Sequence, residues 1–300
     1  MTNSGRSRPT DLAARRSDRL GSVAAGLAAT AGDLLLGAVC PGCRRPGWGL
    51  CPDCRAELAG WRPHWVRPDP CPAGFPPTVA VGPYAGLGAE LISAHKDHQA
   101  LGLARVLGGL LTAAVVEVAA RADGRPADRL TDRDGGRLVL VPAPSAPRAV
   151  RERGLDAGRA IAVVAARRLH RSEAGRSEAG RSGAGRSGAG RSGARPVVVR
   201  SWLRHARTVR DQSGLDAGQR SANLTEAMRA KGSPFPRPGD ALIIVDDVVT
   251  TGATLAEAAR VLTEIAAEGC DVRLLGAATV AATRRRRPPS IGPLHALSDD

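Results

Sequence analysis

Aromatic residues are nearly absent from this 300-residue chain, which has two Phe, one Tyr and four Trp. A core of stacked rings is therefore excluded. Hydrophobic residues still make up 43%, enough for one α/β domain whose interior is Ala, Val, Leu and Ile, with a small accessory module beside it. Long apolar runs are also missing, and no stretch reads as a bilayer span. Ser22–Val39 follows Arg15 and Arg16 as a secretory leader would. Asp33 interrupts it, however, no small-residue cleavage site follows, and Val39 before Cys40 does not suit a lipoprotein signal. It reads as part of a short helix leading into Cys40, which points to a cytoplasmic protein. There are six cysteines. Four of them form two C-x-x-C pairs, a usage that speaks for metal rather than disulfides.

Acidic residues are the minority charge. Against 43 Lys and Arg there are 29 Asp and Glu, a formal net charge of +14. Such a field favours polyanions, whether nucleic acid or small phosphorylated molecules. Much of the excess lies in segments that read as solvated tails, such as Arg6–Arg19 and Arg284–Arg287.

Residues 1–26 read as a disordered basic N-terminus, 27–75 as a four-cysteine zinc-binding module, and 283–300 as a disordered tail. The main domain is expected over 76–282. Cys-, Pro-, Gly- and Trp-rich residues from 40 to 75 show no helical or strand period and need a staple. Thr78–Tyr84 reads as a strand and Leu87–Ala119 as a helix. Leu138–Val141 is a buried strand ending at Pro142, and Leu155–Leu169 is helical. The repeats RSEAG and RSGAG make 172–195 a flexible surface insert, because a five-residue polar period matches neither helix nor strand. Pro196–Val199 is a strand and Ala217–Arg229 a helix. Ala241–Val245 is a strand, Leu255–Glu268 an amphipathic helix and Val272–Ala281 a last strand. Alternation at these lengths predicts an α/β fold with a parallel sheet and crossover helices.

The informative segment is Leu242-Ile243-Ile244-Val245-Asp246-Asp247-Val248-Val249-Thr250-Thr251-Gly252-Ala253-Thr254. An apolar strand ends in two carboxylates, then a hydroxyl-rich turn with one glycine opens a helix. Ligands of open α/β sheets sit beyond the carboxyl ends of the strands. A helix start supplies unpaired N–H groups and the positive end of its dipole, which suit phosphate. Gly252 lets the backbone approach an anion, and Thr250, Thr251 and Thr254 donate to phosphate oxygens. Asp246 and Asp247 would repel phosphate but accept from the hydroxyls of a ribose. No Gly-Lys-Ser/Thr follows, so this is not a Walker loop. Helix capping alone needs only one such side chain.

Cys40-x-x-Cys43 and, seven residues on, Cys51-x-x-Cys54 match a tetrahedral site with no open position, hence structural zinc. Cys71 and Cys270 stand apart as ordinary thiols. Trp48, Trp61 and Trp65 either stack on the bases of single-stranded DNA or form the module's own small core.

The Asp246–Thr254 segment resembles the phosphoribosyl pyrophosphate loop of type I phosphoribosyltransferases, and residues 34–282 resemble the ComF family. That family is associated with natural competence and described as predicted amidophosphoribosyltransferases. Leu140–Pro144 resembles its strand-end pyrophosphate loop, and Arg151–Leu155 its Arg-Gly-aromatic segment. Lys96 matches a family lysine, and Gln212, Leu215, Arg220 and Asn223 its Gln-x-x-Leu…Arg-x-x-Asn pattern. Asp156-Ala157 replaces the family's Asn-Gln, placing a carboxylate where pyrophosphate would lie, and Asp97 replaces an aromatic residue after the lysine. The third C-x-x-C often found in the family is broken here, with Gly74 where the second Cys would stand.

The resemblance implies displacement of pyrophosphate from C1 of the ribose through an oxocarbenium-like state stabilised by charge. Mg2+ would neutralise the leaving group. Asp246 and Asp247 are the implied catalytic residues, Asp246–Thr254 including Ala253 the ribosyl phosphate site, and Lys96, Arg151 and Arg153 the cations for pyrophosphate. The implied ligand is phosphoribosyl pyrophosphate or a related ribose phosphate. The alternative is a non-catalytic competence factor that binds single-stranded DNA through the zinc module and works with DNA-uptake proteins. No residue declares itself as the reader of an acceptor.

Overall fold

The computed structural model describes residues 39–97, 101–123, 136–181, 196–206, 227–232, 236–267 and 271–283. The basic N-terminus, the C-terminal tail, most of the helix expected at Leu27–Val39 and the Gln212–Asn223 pattern lie outside them, as does Cys270. The chain divides into two units, 1–60 and 61–300.

In the first unit the described residues hold the four cysteines and helix α1 (Pro52–Ala59). Cys51 is its N-cap, its sulfur accepting from the Cys54 amide, and Pro52 opens the helix where a missing N–H does no harm. A helix here was not expected from a segment without period. Its burial is confined to Cys54 and Leu58, too sparse to register as an amphipathic pattern.

The second unit is built on a seven-stranded sheet with path order β1-β2-β9-β8-β4-β5 and β3 paired to β9. Its strands are β1 (His64–Val66), β2 (Thr78–Ala80), β3 (Gly82–Pro83), β4 (Leu138–Pro142), β5 (Val197–Val199), β8 (Ala241–Val249) and β9 (Arg273–Ala282). All pairings are parallel except β1 with β2. The expected parallel architecture is therefore present, with one antiparallel edge. Because β1 belongs to this sheet, residues from 61 onward go with the larger unit, where the sequence reading continues the module to 75. A separate hairpin pairs β6 (Leu203–His205) with β7 (Met228–Ala230). The helix expected over Ala217–Arg229 lies mostly outside the described residues, and its last two positions, Met228 and Arg229, are strand.

Among the described residues, five helices belong to the unit: α2 (Leu87–Asp97), α3 (Leu101–Asp123), α4 (Pro147–Arg153), α5 (Ala157–Arg181) and α6 (Ala253–Ala267). Leu242 and Ile244 of β8 pack in one cluster with Leu255, Val261 and Leu262 of α6, while α3 and α5 pack on each other and on the sheet. Strand β8 is buried at every position from Ala241 to Val245, as a central strand covered on both faces must be. Small residues let the helices close in: a Cβ on Gly108 of α3 would lie 2.6 Å from Val164 of α5. Burying Leu, Ile and Val side chains in this way stabilises by about 1.5–3 kcal/mol each.

Two expectations need correction. The Gly102–Arg121 window of α3 is long and apolar enough, by length and composition, to cross a membrane. Yet Leu103, Leu107, Leu111, Val115 and Val118 are each buried, so its apolar character serves the core. The repeat insert expected to be irregular from 172 is helical as far as Arg181, where α5 ends. Extending an existing helix avoids the nucleation penalty, and the RSEAG repeats contain Glu and Ala, both good helix formers. Residues 182–195 lie outside the described part.

Candidate functional site

The parallel sheet aligns the carboxyl ends of β8 and β4. Pro142 registers with Val245, and the Ala143 amide continues the ladder to the Val245 carbonyl at 2.9 Å. The candidate ribose phosphate loop and the loop expected to hold pyrophosphate thus start side by side. Strand β8 runs on to Val249. Asp246 and Asp247 therefore lie within the strand, and the expectation that both stand just beyond it is corrected. The cause is β9, whose Thr279, Ala281 and Ala282 register with Asp246, Val248 and Val249 and hold that backbone extended.

After Val249 the chain turns. Thr283 donates its amide to the Val249 carbonyl at 3.1 Å and its hydroxyl to the Thr250 carbonyl at 3.4 Å. Gly252 has φ +76°, in the left-handed region that a residue with a Cβ enters only under strain. A Cβ there would also lie 2.6 Å from the Phe75 ring and 2.7 Å from Pro68. Helix α6 then opens at Ala253, whose amide faces the Thr251 hydroxyl at 3.5 Å, and the Gly252 carbonyl accepts the Ala256 amide at 2.9 Å. Thr250 is exposed, and Thr251 and Thr254 are half-buried. A tight turn, hydroxyls and a helix start thus come together as the sequence predicts.

The two carboxylates differ. Asp247 is 7% exposed and pairs with Lys96 at the end of α2, with Nζ 2.8 Å from one oxygen and 3.1 Å from the other. Burial works against the Lys96 ammonium, but the Asp247 carboxylate overrides it and holds the lysine above its ordinary range. Asp246 is half-buried. Desolvation, and then the charge of Asp247, push its carboxyl up to about 7 against the pull of Lys96, with Asp156 adding a small repulsion. One Asp246 oxygen accepts the Asp247 amide at 2.8 Å.

Asp156, the departure from the expected Asn, has two partners. It caps α5 through the Arg159 amide at 3.1 Å and accepts the Ser145 hydroxyl of the neighbouring loop at 3.0 Å. Next to it the Ala157 carbonyl accepts from His95, one residue before Lys96, at 3.2 Å. The ends of α2 and α5 are thereby tied together. Sequence reasoning missed this role of Asp156, although an Asp just before a helical run is itself a cap signal. Arg151 and Arg153 occupy the last turn of α4, which Gly154 ends in a left-handed cap. Arg151 is exposed and Arg153 half-buried.

No model of a known protein family matches this chain, and no curated protein sequence matches it. The site stands on its own chemistry: two carboxylates, a half-buried lysine paired with one of them, and a hydroxyl-rich glycine turn at a helix start.

In the other unit the sulfurs of Cys40, Cys43, Cys51 and Cys54 all lie within 4.8 Å of one another. The Cys40–Cys54 and Cys43–Cys51 separations are 3.8 and 3.5 Å. A tetrahedral ion with bonds of about 2.3 Å spaces its sulfurs by about 3.8 Å. The four thiols can therefore hold one metal ion such as zinc. Burial opposes the Cys40 thiolate, but amides, including that of Cys51 at 3.4 Å, bring its thiol down to about 6. Burial, and then the neighbouring Cys51, Cys43 and Cys40, push the Cys54 thiol up. Cys71 is a free thiol outside the cluster.

Of the three tryptophans close to the cysteines in sequence, Trp48 belongs to this unit, and Trp61 and Trp65 to the larger one. Trp48 is 66% exposed. Trp61 packs against Gly82 and Gly88 of the larger unit, where a Cβ on Gly82 would lie 2.1 Å from its ring. Trp65 lies in β1, with the Arg121 guanidinium 4.6 Å from its ring centre.

Proposed function

We propose that this chain is a phosphoribosyltransferase-like protein of the ComF type, binding phosphoribosyl pyrophosphate as its Mg2+ salt and carrying a structural zinc in its N-terminal module. The observation that carries the reading is the junction of β8 and α6. There two carboxylates precede a threonine-rich turn whose glycine is left-handed and whose next residue starts a helix. Asp246 and Asp247 accept from the ribose hydroxyls, and Thr251, Thr254 and the first amides of α6 hold the 5-phosphate. The Ala143–Ala146 loop, beside it at the end of β4, receives the pyrophosphate. Mg2+ bound to that pyrophosphate supplies charge neutralisation, and hard carboxylate oxygens such as those of Asp246 suit it.

Lys96 takes a more specific part than a generic pyrophosphate cation. It pairs with Asp247 before ligand arrives and is released when ribose hydroxyls engage that carboxylate. The reading is tested by binding of ribose 5-phosphate to Asp246→Asn and Thr251→Val. Each variant should lose about ten- to hundredfold in affinity, as expected for one hydrogen bond to a charged group, with the fold intact. Affinity equal to that of the parent protein would refute the assignment. A second reading, binding of single-stranded DNA at the cysteine module, draws its support from the exposed Trp48. Trp61 and Trp65 belong to the larger unit.

A further inference from the structure

An open cleft of about 500 Å³ lies along the edge of the sheet, lined by His64, Trp65 and Arg67 of the β1 segment and by Pro83, Ala282 and Thr283 at the ends of β3 and β9. It adjoins the candidate loop directly, because Thr283 is the residue bonded to the carbonyls of Val249 and Thr250. Its size falls in the range that holds a drug-sized molecule.

The lining has a definite chemistry. Arg67 and His64 are its two ionisable residues. Arg67 is exposed and has no ion-pair partner among the described residues. One His64 nitrogen, Nδ1, lies 3.0 Å from the Arg62 carbonyl. A carbonyl can only accept, so Nδ1 carries the proton, and in the neutral ring the other nitrogen is an acceptor. Trp65 supplies an aromatic wall, and its ring is held by Arg121. Pro83 and Ala282 are apolar. A guanidinium with no carboxylate partner among the described residues, beside an indole and apolar walls, suits a flat molecule with an anionic group at one end.

We propose that this cleft is a binding site for a planar, carboxylate-bearing small molecule, held by Arg67 at its charged end and by Trp65 along its ring. Its place beside Val249 and Thr250 makes the occupant the acceptor of the ribosyl group. That role rests on the function proposed above, whereas the binding itself does not.

The test uses the full chain and two probes of the same shape, 2-naphthoate and its neutral counterpart 2-naphthamide, titrated by calorimetry. Saturable 2-naphthoate binding is expected. The amide, and 2-naphthoate on Arg67→Gln, should each bind about tenfold more weakly, the loss of one charge-assisted contact. Arg67 is exposed, so the variant's urea midpoint should match that of the parent. Equal binding of the two probes, indifference to Arg67→Gln, or no saturation at millimolar probe would overturn the proposal. Ribose 5-phosphate with Mg2+ is titrated separately. If the carboxylate binds through Arg67 and the ribose phosphate does not bind, the cleft stands and the phosphoribosyl reading falls. The reverse result rejects the cleft alone.

Discussion

Replacing Lys96 with Met should destabilise the larger unit more than replacing Asp247 with Asn, although both changes break the same ion pair. The asymmetry follows from burial: the Asp247 side chain is 9% exposed and that of Lys96 34%. Removing one partner of a buried pair costs about 3–5 kcal/mol because the other charge is stranded. Lys96→Met strands the more buried group, and partial access of water through the lysine's position lowers the expectation to about 2–3 kcal/mol. In Asp247→Asn the ammonium can turn toward solvent, so about 1–2 kcal/mol is expected. The double variant strands nothing and should be more stable than the sum of the single losses predicts, by about 1–2 kcal/mol. Urea denaturation of the four proteins at pH 7.5 reads these values. For a unit of this size Lys96→Met should lower Tm by roughly 5–10 °C. A Lys96→Met protein within about 0.5 kcal/mol of the parent, or strictly additive losses, would refute the coupling of Lys96 to the buried Asp247 carboxylate.

Asp246 yields a pH prediction. Its carboxyl lies at about 7 in the fold, against an ordinary 3.8. The folded protein therefore binds this proton more tightly than the unfolded chain, and Asp246 increasingly lowers stability as pH rises between those values. Asp246→Asn should gain in Tm relative to the parent at pH 8 and not at pH 4; a gain confined to pH 4 would contradict the assignment. Metal analysis of the purified protein should find one zinc per chain, and Cys51→Ser should lose it and open the module to proteolysis. Deleting residues 182–193, which add only Ala as apolar side chains, should move Tm by less than about 2 °C, whereas a large drop would show that they are packed. None of these depends on knowing the acceptor.

Much of the site was legible in the sequence because its elements are short-range. Strand β8, the Gly252 turn and helix α6 are contiguous, so their order alone brings carboxylates, hydroxyls and a helix start together. The four cysteines announce themselves by spacing in the same way. What escaped was long-range. The Lys96–Asp247 pair joins residues 151 apart, and no local pattern states that a lysine at the end of α2 meets the second carboxylate. The extension of β8 through Asp246 and Asp247 came from pairing with β9, against the low strand propensity of Asp. Trp61 and Trp65 sit close to the cysteines in sequence yet pack in the sheet unit, because glycines at 82 and 88 leave room for an indole there. Helix α1 was hidden because capping and the cysteine cluster, rather than an apolar stripe, define it.

Calorimetry with the Mg2+ salt of phosphoribosyl pyrophosphate decides whether the β8–α6 junction binds a phosphoribosyl group. One saturable site per chain is expected, with Kd below about 1 mM, weakened about tenfold or more in Thr251→Val. No heat of binding at millimolar ligand, or equal affinity in the two proteins, would contradict it.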